Sequence, residues 1–170
     1  PGADGVVNDY DRVYLGKTIP GYYYGFNFSL EYKHFDLNCY FMGVGDVQKI
    51  NNVRAGREDM QSKGNNQLAS VMDRWTPSNP STSMPRAAAT DPGANARFSD
   101  RWIENASYLR LANLQIGYTL PNFNVKVFDH ARIWIAGSNL FTATKWTGID
   151  PESETSPIPR VFSVGFDASF

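Results

Sequence analysis

Three tryptophans and three arginines, Trp75, Trp102, Trp146, Arg74, Arg86 and Arg101, are the side chains of this sequence best suited to hold a ligand. Flat aromatic rings stack on sugar faces, and a guanidinium donates hydrogen bonds to hydroxyls or carboxylates. The same residues also suit a simpler task, since Trp beside proline-rich stretches packs loops and marks a membrane interface. Bond-breaking chemistry has little support. HExxH, CxxC, a phosphate-cradling glycine loop and Gly-x-Ser-x-Gly are absent, and Gly43 and Gly45 read as the end of a strand, so neither an enzyme nor a bound cofactor is expected. His34 and His130 read as solvated turn residues rather than metal ligands or catalysts. Asp150, Glu152 and Glu154 carry oxygens suited to calcium, but their spacing matches no calcium loop, and a solvated loop is the reading here. Asn27 to Ser29 and Asn105 to Ser107 fit the glycosylation sequon, yet they fall in or beside strands and read as chance matches.

The elements that must position these residues are strands. At the end of the chain Phe162, Val164, Phe166, Ala168 and Phe170 alternate with Ser163, Gly165, Asp167 and Ser169, the period-two pattern of a strand with one apolar and one polar face. The same division runs through Tyr22, Tyr24, Phe26, Phe28, Leu30 and Tyr32 against Gly21, Tyr23, Gly25, Asn27, Ser29 and Glu31. A tight turn at Lys33 and His34 leads to Phe35, Leu37, Cys39 and Phe41 opposite Asp36, Asn38, Tyr40 and Met42, which predicts an antiparallel hairpin with one dry side. Ala112, Leu114, Ile116, Tyr118 and Leu120 continue the pattern, but Leu109 and Leu111 lie in the opposite phase, so a bulge near Arg110 is expected to shift the register. The run from Arg132 to Thr142 is strand without an assignable facing, because Trp134, Ala136 and Leu140 compete with Ile133 and Ile135.

These runs give an all-β fold, an antiparallel meander of about five strands over residues 20–32, 34–44, 106–120, 131–142 and 159–170. Their lengths approach the ~9–11 residues that a tilted strand needs to cross a bilayer. The 170 residues include no stretch near the ~18 consecutive apolar positions of a transmembrane helix. A membrane barrel escapes such a test, because every second residue faces away from lipid. The net charge of −1, without a cluster of Lys and Arg, argues against a nucleic-acid partner. The single Cys39 excludes an internal disulfide and reads as an inert buried thiol on an apolar face.

The chain opens on Pro1 without a charged and apolar leader, which predicts a processed protein or a piece of a larger one. A piece is favoured, since closure of a membrane barrel takes at least ~8 strands and an open edge in lipid leaves backbone groups unpaired. Connection lengths then set direction. Short links at Lys33 to His34 and at Pro121 to Asp129 fall at one end, and the long segment of about 45–105 with the medium one of about 143–159 falls at the other. Outer-membrane barrels place short turns in the periplasm and long loops outside. The long segment holds a helix-compatible stretch, Gln67 to Trp75, stopped by Thr76 and Pro77, and then a Pro, Ser and Thr-rich run.

Several segments in order carry a family likeness: YLGKTIPGYYYGFNFSLEYKHFDL (Tyr14 to Leu37), DRWTPSNPSTSMPR (Asp73 to Arg86), SYLRLANLQIGYTLP (Ser107 to Pro121), RIWIAGSNLFTATKWTGIDPE (Arg132 to Glu152) and PRVFSVGFDASF (Pro159 to Phe170). Together they resemble the C-terminal part of SusC/RagA-type TonB-dependent outer-membrane transporters. The resemblance implies a large barrel of about 22 strands with a plugged lumen, of which this chain would be the last strands in the cell outer membrane. It further implies import of oligosaccharides or peptides with a SusD-like surface lipoprotein, and contact with the TonB complex through an N-terminal part outside this chain. Gly165, Ala168 and Phe170 resemble the C-terminal signal read by the barrel-assembly machinery.

Two other functions fit the strands alone, a passive porin-type barrel and a soluble carbohydrate-binding β-sandwich. The lipid-facing assignment separates the last of these, since Arg in the middle of a lipid face costs ~2–4 kcal/mol. Phe166→Arg is expected to block assembly of the barrel into the outer membrane, and Asn27→Arg on the polar face to be tolerated. Outer-membrane fractionation of the two variants checks this, and equal tolerance would count against the assignment.

Overall fold

The computed structural model describes residues 5, 8–61, 64–121 and 129–169. In chain order its strands are β1 (Tyr22–Tyr32), β2 (Phe35–Gly45) and β3 (Gln48–Ile50), followed by a short helix α1 (Asn52–Arg57), then β4 (Ile103–Asn105), β5 (Tyr108–Thr119), β6 (His130–Thr144) and β7 (Val161–Ser169). Five of them form one antiparallel sheet in the order β1-β2-β5-β6-β7, and β3 pairs with β4 in a small separate sheet. The five-stranded meander read from the alternation is therefore present. None of the helices among the described residues is long and apolar enough to cross a membrane, a test that does not bear on strands.

Register keeps the apolar residues together. Phe28 lies opposite Cys39 and Leu30 opposite Leu37; Leu37 and Cys39 in turn face Ile116 and Leu114; Ile116 faces Ile135, and Ile135 faces Val164. One face thus runs apolar across all five strands. Because a one-residue slip would turn every side chain over, Leu109 and Leu111 need a correction to join that face. It comes at Ala112, which both neighbours skip: Tyr40 pairs with Asn113 and Phe41 with Leu111, while on β6 Ser138 pairs with Asn113 and Phe141 with Leu111. The expected bulge exists, two residues past Arg110. On β6 the compensating residue Asn139 has φ 56, a left-handed conformation that Asn adopts more readily than most side chains.

This register also settles β6. Ile133 and Ile135 lie on the apolar face, whereas Trp134 and Ala136 belong to the polar one. Trp134 is placed over Gly165, where a Cβ would stand 2.2 Å from the indole. Leu140, after the bulge, returns to the apolar face and packs beside Gly137.

Aromatic residues gather at the two ends of the apolar face. Tyr22 and Tyr24 cover Gly45 and Gly43 at one end, and the Tyr24 hydroxyl donates to the Tyr108 carbonyl at 2.9 Å. At the other end Tyr32 lies opposite Phe35, whose ring is 4.7 Å from that of Tyr118. Between them Phe26 stacks on Phe41 at 4.7 Å. Such paired girdles about an apolar band are what two membrane interfaces select.

The polar face is held by charge. Arg132 on β6 reaches Asp36 on β2 at 2.6 Å and Asp167 on β7 at 3.0 Å. The first of these contacts passes over Gly117 on β5, where a Cβ would meet Asp36 Oδ1 at 2.3 Å and Arg132 at 2.4 Å. A glycine there lets the pair close across an intervening strand.

Elsewhere the sequence reading needs amendment. The helix-compatible stretch Gln67 to Trp75 is only a five-residue 3-10 turn, Ala69–Asp73. The helix that does form, α1, starts where the Asn51 side chain accepts from the Arg54 amide at 3.0 Å. Most of the link predicted at Pro121 to Asp129, and the terminal Phe170, lie outside the described residues.

Candidate functional site

Both long connections leave the same end of the sheet, and the residues at their bases decide where they go. Residues 51–102 are pinched at the stem formed by β3 and β4. Backbone bonds extend it: the Asn51 amide donates to the Trp102 carbonyl at 2.8 Å, and the Ala106 amide to Val47 at 3.0 Å. Above the stem sits a polar knot. The Asn51 side chain, 1% exposed, donates to Glu104 at 3.3 Å and to Thr147 at 3.2 Å. Arg54 binds Glu58 at 2.7 Å and Glu104 at 3.1 Å. The Thr147 amide and hydroxyl both donate to Glu104. Burial acts to raise the Glu104 pKa, but hydrogen bonds from Thr147, Arg54 and Asn51 outweigh it and hold the carboxyl below its ordinary value.

The second connection, residues 145–160, is drawn over the polar face. Trp146 packs with Val44, Val47, Ala106 and Tyr108 in the hydrophobic cluster of this end. Arg110, 2% exposed, is the ionic counterpart. Its guanidinium donates to Asp150 at 2.7 Å, to Glu152 at 2.5 Å and to the Thr142 hydroxyl at 3.0 Å, and it lies 5.0 Å from the Tyr108 ring centre. Asp150 also accepts from the amides of Glu152 and Ser153, and Lys49 reaches Glu154 at 3.2 Å. The acidic trio read as a solvated loop is instead the anionic half of the ion pairs that dock this connection, with Asp150 buried. Sequence reasoning missed Arg110, although a charged residue in the polar phase of an apolar strand was the available signal.

The residues proposed from sequence as ligand contacts are divided by the structure. Trp102 is 1% exposed, flanked by Arg101 at 4.7 Å and Arg54 at 5.9 Å, with its indole N–H donating to the Arg97 carbonyl at 3.1 Å. Trp146 is buried as well. Neither presents an open ring face, and both serve to hold the connections. Trp75 is exposed and joined to Arg101 through Met84: the Trp75 amide donates to the Met84 carbonyl at 3.1 Å, and Arg101 approaches the Met84 sulfur at 3.2 Å. Burial pushes the Arg101 guanidinium below its ordinary value, with the Glu58 charge opposing. Arg74 borders an apolar recess of about 420 Å³ with Val71 and Ala87–Ala89. Arg86 is exposed beside a separate recess of about 290 Å³ that includes Asp59 and Asp91. Gly165 faces Trp134 on the polar side, and Ala168 pairs with Ala131.

A five-stranded antiparallel sheet with an unbroken apolar face, girdles at both rims and connections folded over its polar face is the wall of an outer-membrane β-barrel. No family model matches the chain. Among curated proteins, TonB-dependent receptor P3 of Formosa agariphila is 33% identical over 88% of this chain and 14% of its own length. TonB-dependent receptor SusC of Bacteroides thetaiotaomicron is 25% identical over 98% of the chain and 17% of its own length. Of solved structures, the RagAB peptide importer in its closed-closed state matches with a TM-score of 0.79 and 29% identity over 90% of this chain and 18% of that one. Its open-open state matches with a TM-score of 0.77 and 26% identity over the whole chain and 20% of that one. The chain is a barrel segment of the SusC/RagA type of TonB-dependent outer-membrane transporter, spanning less than a fifth of the length of each curated relative it matches.

The ion cluster yields a direct test. Arg110→Met removes the cation from a buried carboxylate, a change that costs about 3–5 kcal/mol when one partner of a buried pair is lost. In the full-length protein, hydrogen exchange over residues 145–155 should rise sharply while the strands stay protected; unchanged protection would refute the docking role.

Proposed function

We propose that this chain supplies part of the barrel wall and two outer loops of a TonB-dependent importer. Nutrient oligomers, oligosaccharides or peptides, reach it from a SusD-like surface lipoprotein, and transport draws on the TonB complex through parts of the protein beyond this segment. The long connections lie on the extracellular side. Trp75 and Arg86 are the exposed contacts of the first connection for substrate or lipoprotein, with the half-buried Arg74 and Arg101 behind them, and Gly165, Ala168 and Phe170 act as the assembly signal.

The observation that carries this reading is the one-sided sheet whose connections are clamped over its polar face by Arg110 and Glu104. A passive porin needs no such relatives as TonB-dependent receptors, and a soluble sandwich would cover the apolar face with a second sheet. The peptide alternative draws specific support from RagAB, which is a peptide importer.

Deletion of the gene in its native host, beside deletion of TonB, tests the reading. Growth on one class of oligomer as sole carbon source, a set of hexasaccharides or a protein digest, should be lost in both strains and restored by the gene. Growth that survives loss of TonB would overturn it in favour of passive diffusion.

A further inference from the structure

The stem of β3 and β4 is gripped from more sides than the base of a loop requires. Successive backbone groups of a strand point to opposite edges. The Val47 carbonyl and the Asn51 amide bond toward β4, and the Gln48 amide between them turns the other way and donates to the Lys17 carbonyl at 2.8 Å. Gly16 lies against the Gln48 side chain, where a Cβ would stand 2.4 Å away, and its φ of 105 is one that glycine adopts freely. The segment leading into β1 therefore seats β3, and Lys17 closes the seat with an ion pair to Asp46 at 2.6 Å.

One face of the stem is given to the second connection. Lys49 and Glu104 are partners across the strand pair, so their side chains project on the same side. Lys49 spends its ammonium on a single turn, donating to the carbonyls of Pro151 at 3.0 Å and Glu152 at 3.3 Å and pairing with Glu154 at 3.2 Å. That turn is closed by the Glu154 amide on the Asp150 carbonyl at 2.8 Å. Glu154 has φ 62, a left-handed conformation that persists only where the surroundings impose it. Glu104 works from the other strand. Its carboxylate accepts from Asn51 and Arg54 of the first connection and from Thr147 of the second, so the two connections share one acceptor group.

From this we infer that the stem of β3 and β4 is a latch that makes the two connections open and close as one body. Withdrawal of the second connection strips Lys49 of its three acceptors and takes Thr147 from Asn51 and Glu104. Opening of the first pulls Glu104 from Thr147 and lets the strained turn at Glu154 relax. A ligand or partner that shifts one connection therefore shifts the other, and the coupling is reciprocal. The latch serves a barrel of any substrate class.

Hydrogen exchange in the full-length protein reads the coupling from both ends. Thr147→Val, a change of similar shape on the second connection, should speed exchange of the Ala55 and Glu58 amides in α1 about fivefold. Arg54→Met, on the first connection, should speed exchange over residues 146–154 by about the same factor. Heat-modifiable migration of the barrel band verifies that the variants assemble. Should Arg54→Met fail to do so, Arg54→Lys, which lacks the fork that spans Glu58 and Glu104, gives the same readout. Faster exchange on the unsubstituted connection in both directions, with β5 and β6 still protected, is the result expected. A rise confined to the substituted connection, no rise at all, or one that spreads through β5 and β6 overturns the latch.

Discussion

Everything in this chain answers to one constraint: in hydrocarbon no water is available to a backbone N–H or C=O, so each must find its partner within the sheet. The meander satisfies that demand strand by strand, with β2, β5 and β6 paired on both sides and β1 and β7 on one. An unmatched edge inside a bilayer costs several kcal/mol per group, so β1 and β7 require further strands beside them. The large barrels of the relatives, of which this sheet matches a fraction, provide that closure.

With the backbone committed, the side chains divide the labour by face. On the apolar side the register carries Phe28, Cys39, Leu114 and their neighbours in one band, and the bulge at Ala112 corrects the phase so that Leu109 and Leu111 stay within it. The polar side is where specific interactions are affordable. Arg132 ties β2 to β7 over Gly117, and nearer the loops Arg110 and Glu104 secure the connections. The arrangement orders loops at the mouth of the barrel without placing a charge against lipid.

Much of this was legible because period-two alternation is a local property. The five strands, the apolar face and the bulge could be read from Phe162 to Ala168, from Tyr22 to Tyr32 and from the phase break around Arg110. What escaped depends on distant partners. The facing of β6 is decided by Gly165, which gives Trp134 a place on the polar side. The stem of β3 and β4 joins residues more than fifty positions apart in three-residue strands too short to show a pattern. The acidic trio resembled a solvated loop because its partners are distant in the chain: Arg110, which binds Asp150 and Glu152, lies forty residues from Asp150, and Glu154 pairs with Lys49. Trp102 and Trp146 had the composition of a ligand site, but burial gave both to the loop core.

The central claim, that one face of this sheet meets lipid and the other the lumen, is tested most directly by scanning β1 with spin labels in the full-length protein, reconstituted in bilayers with Cys39 replaced by Ser. Labels at residues 22, 24, 26, 28, 30 and 32 should be accessible to oxygen and shielded from a water-soluble nickel chelate, with the reverse at the intervening positions. Equal access of the nickel chelate to both sets would contradict a membrane-facing wall.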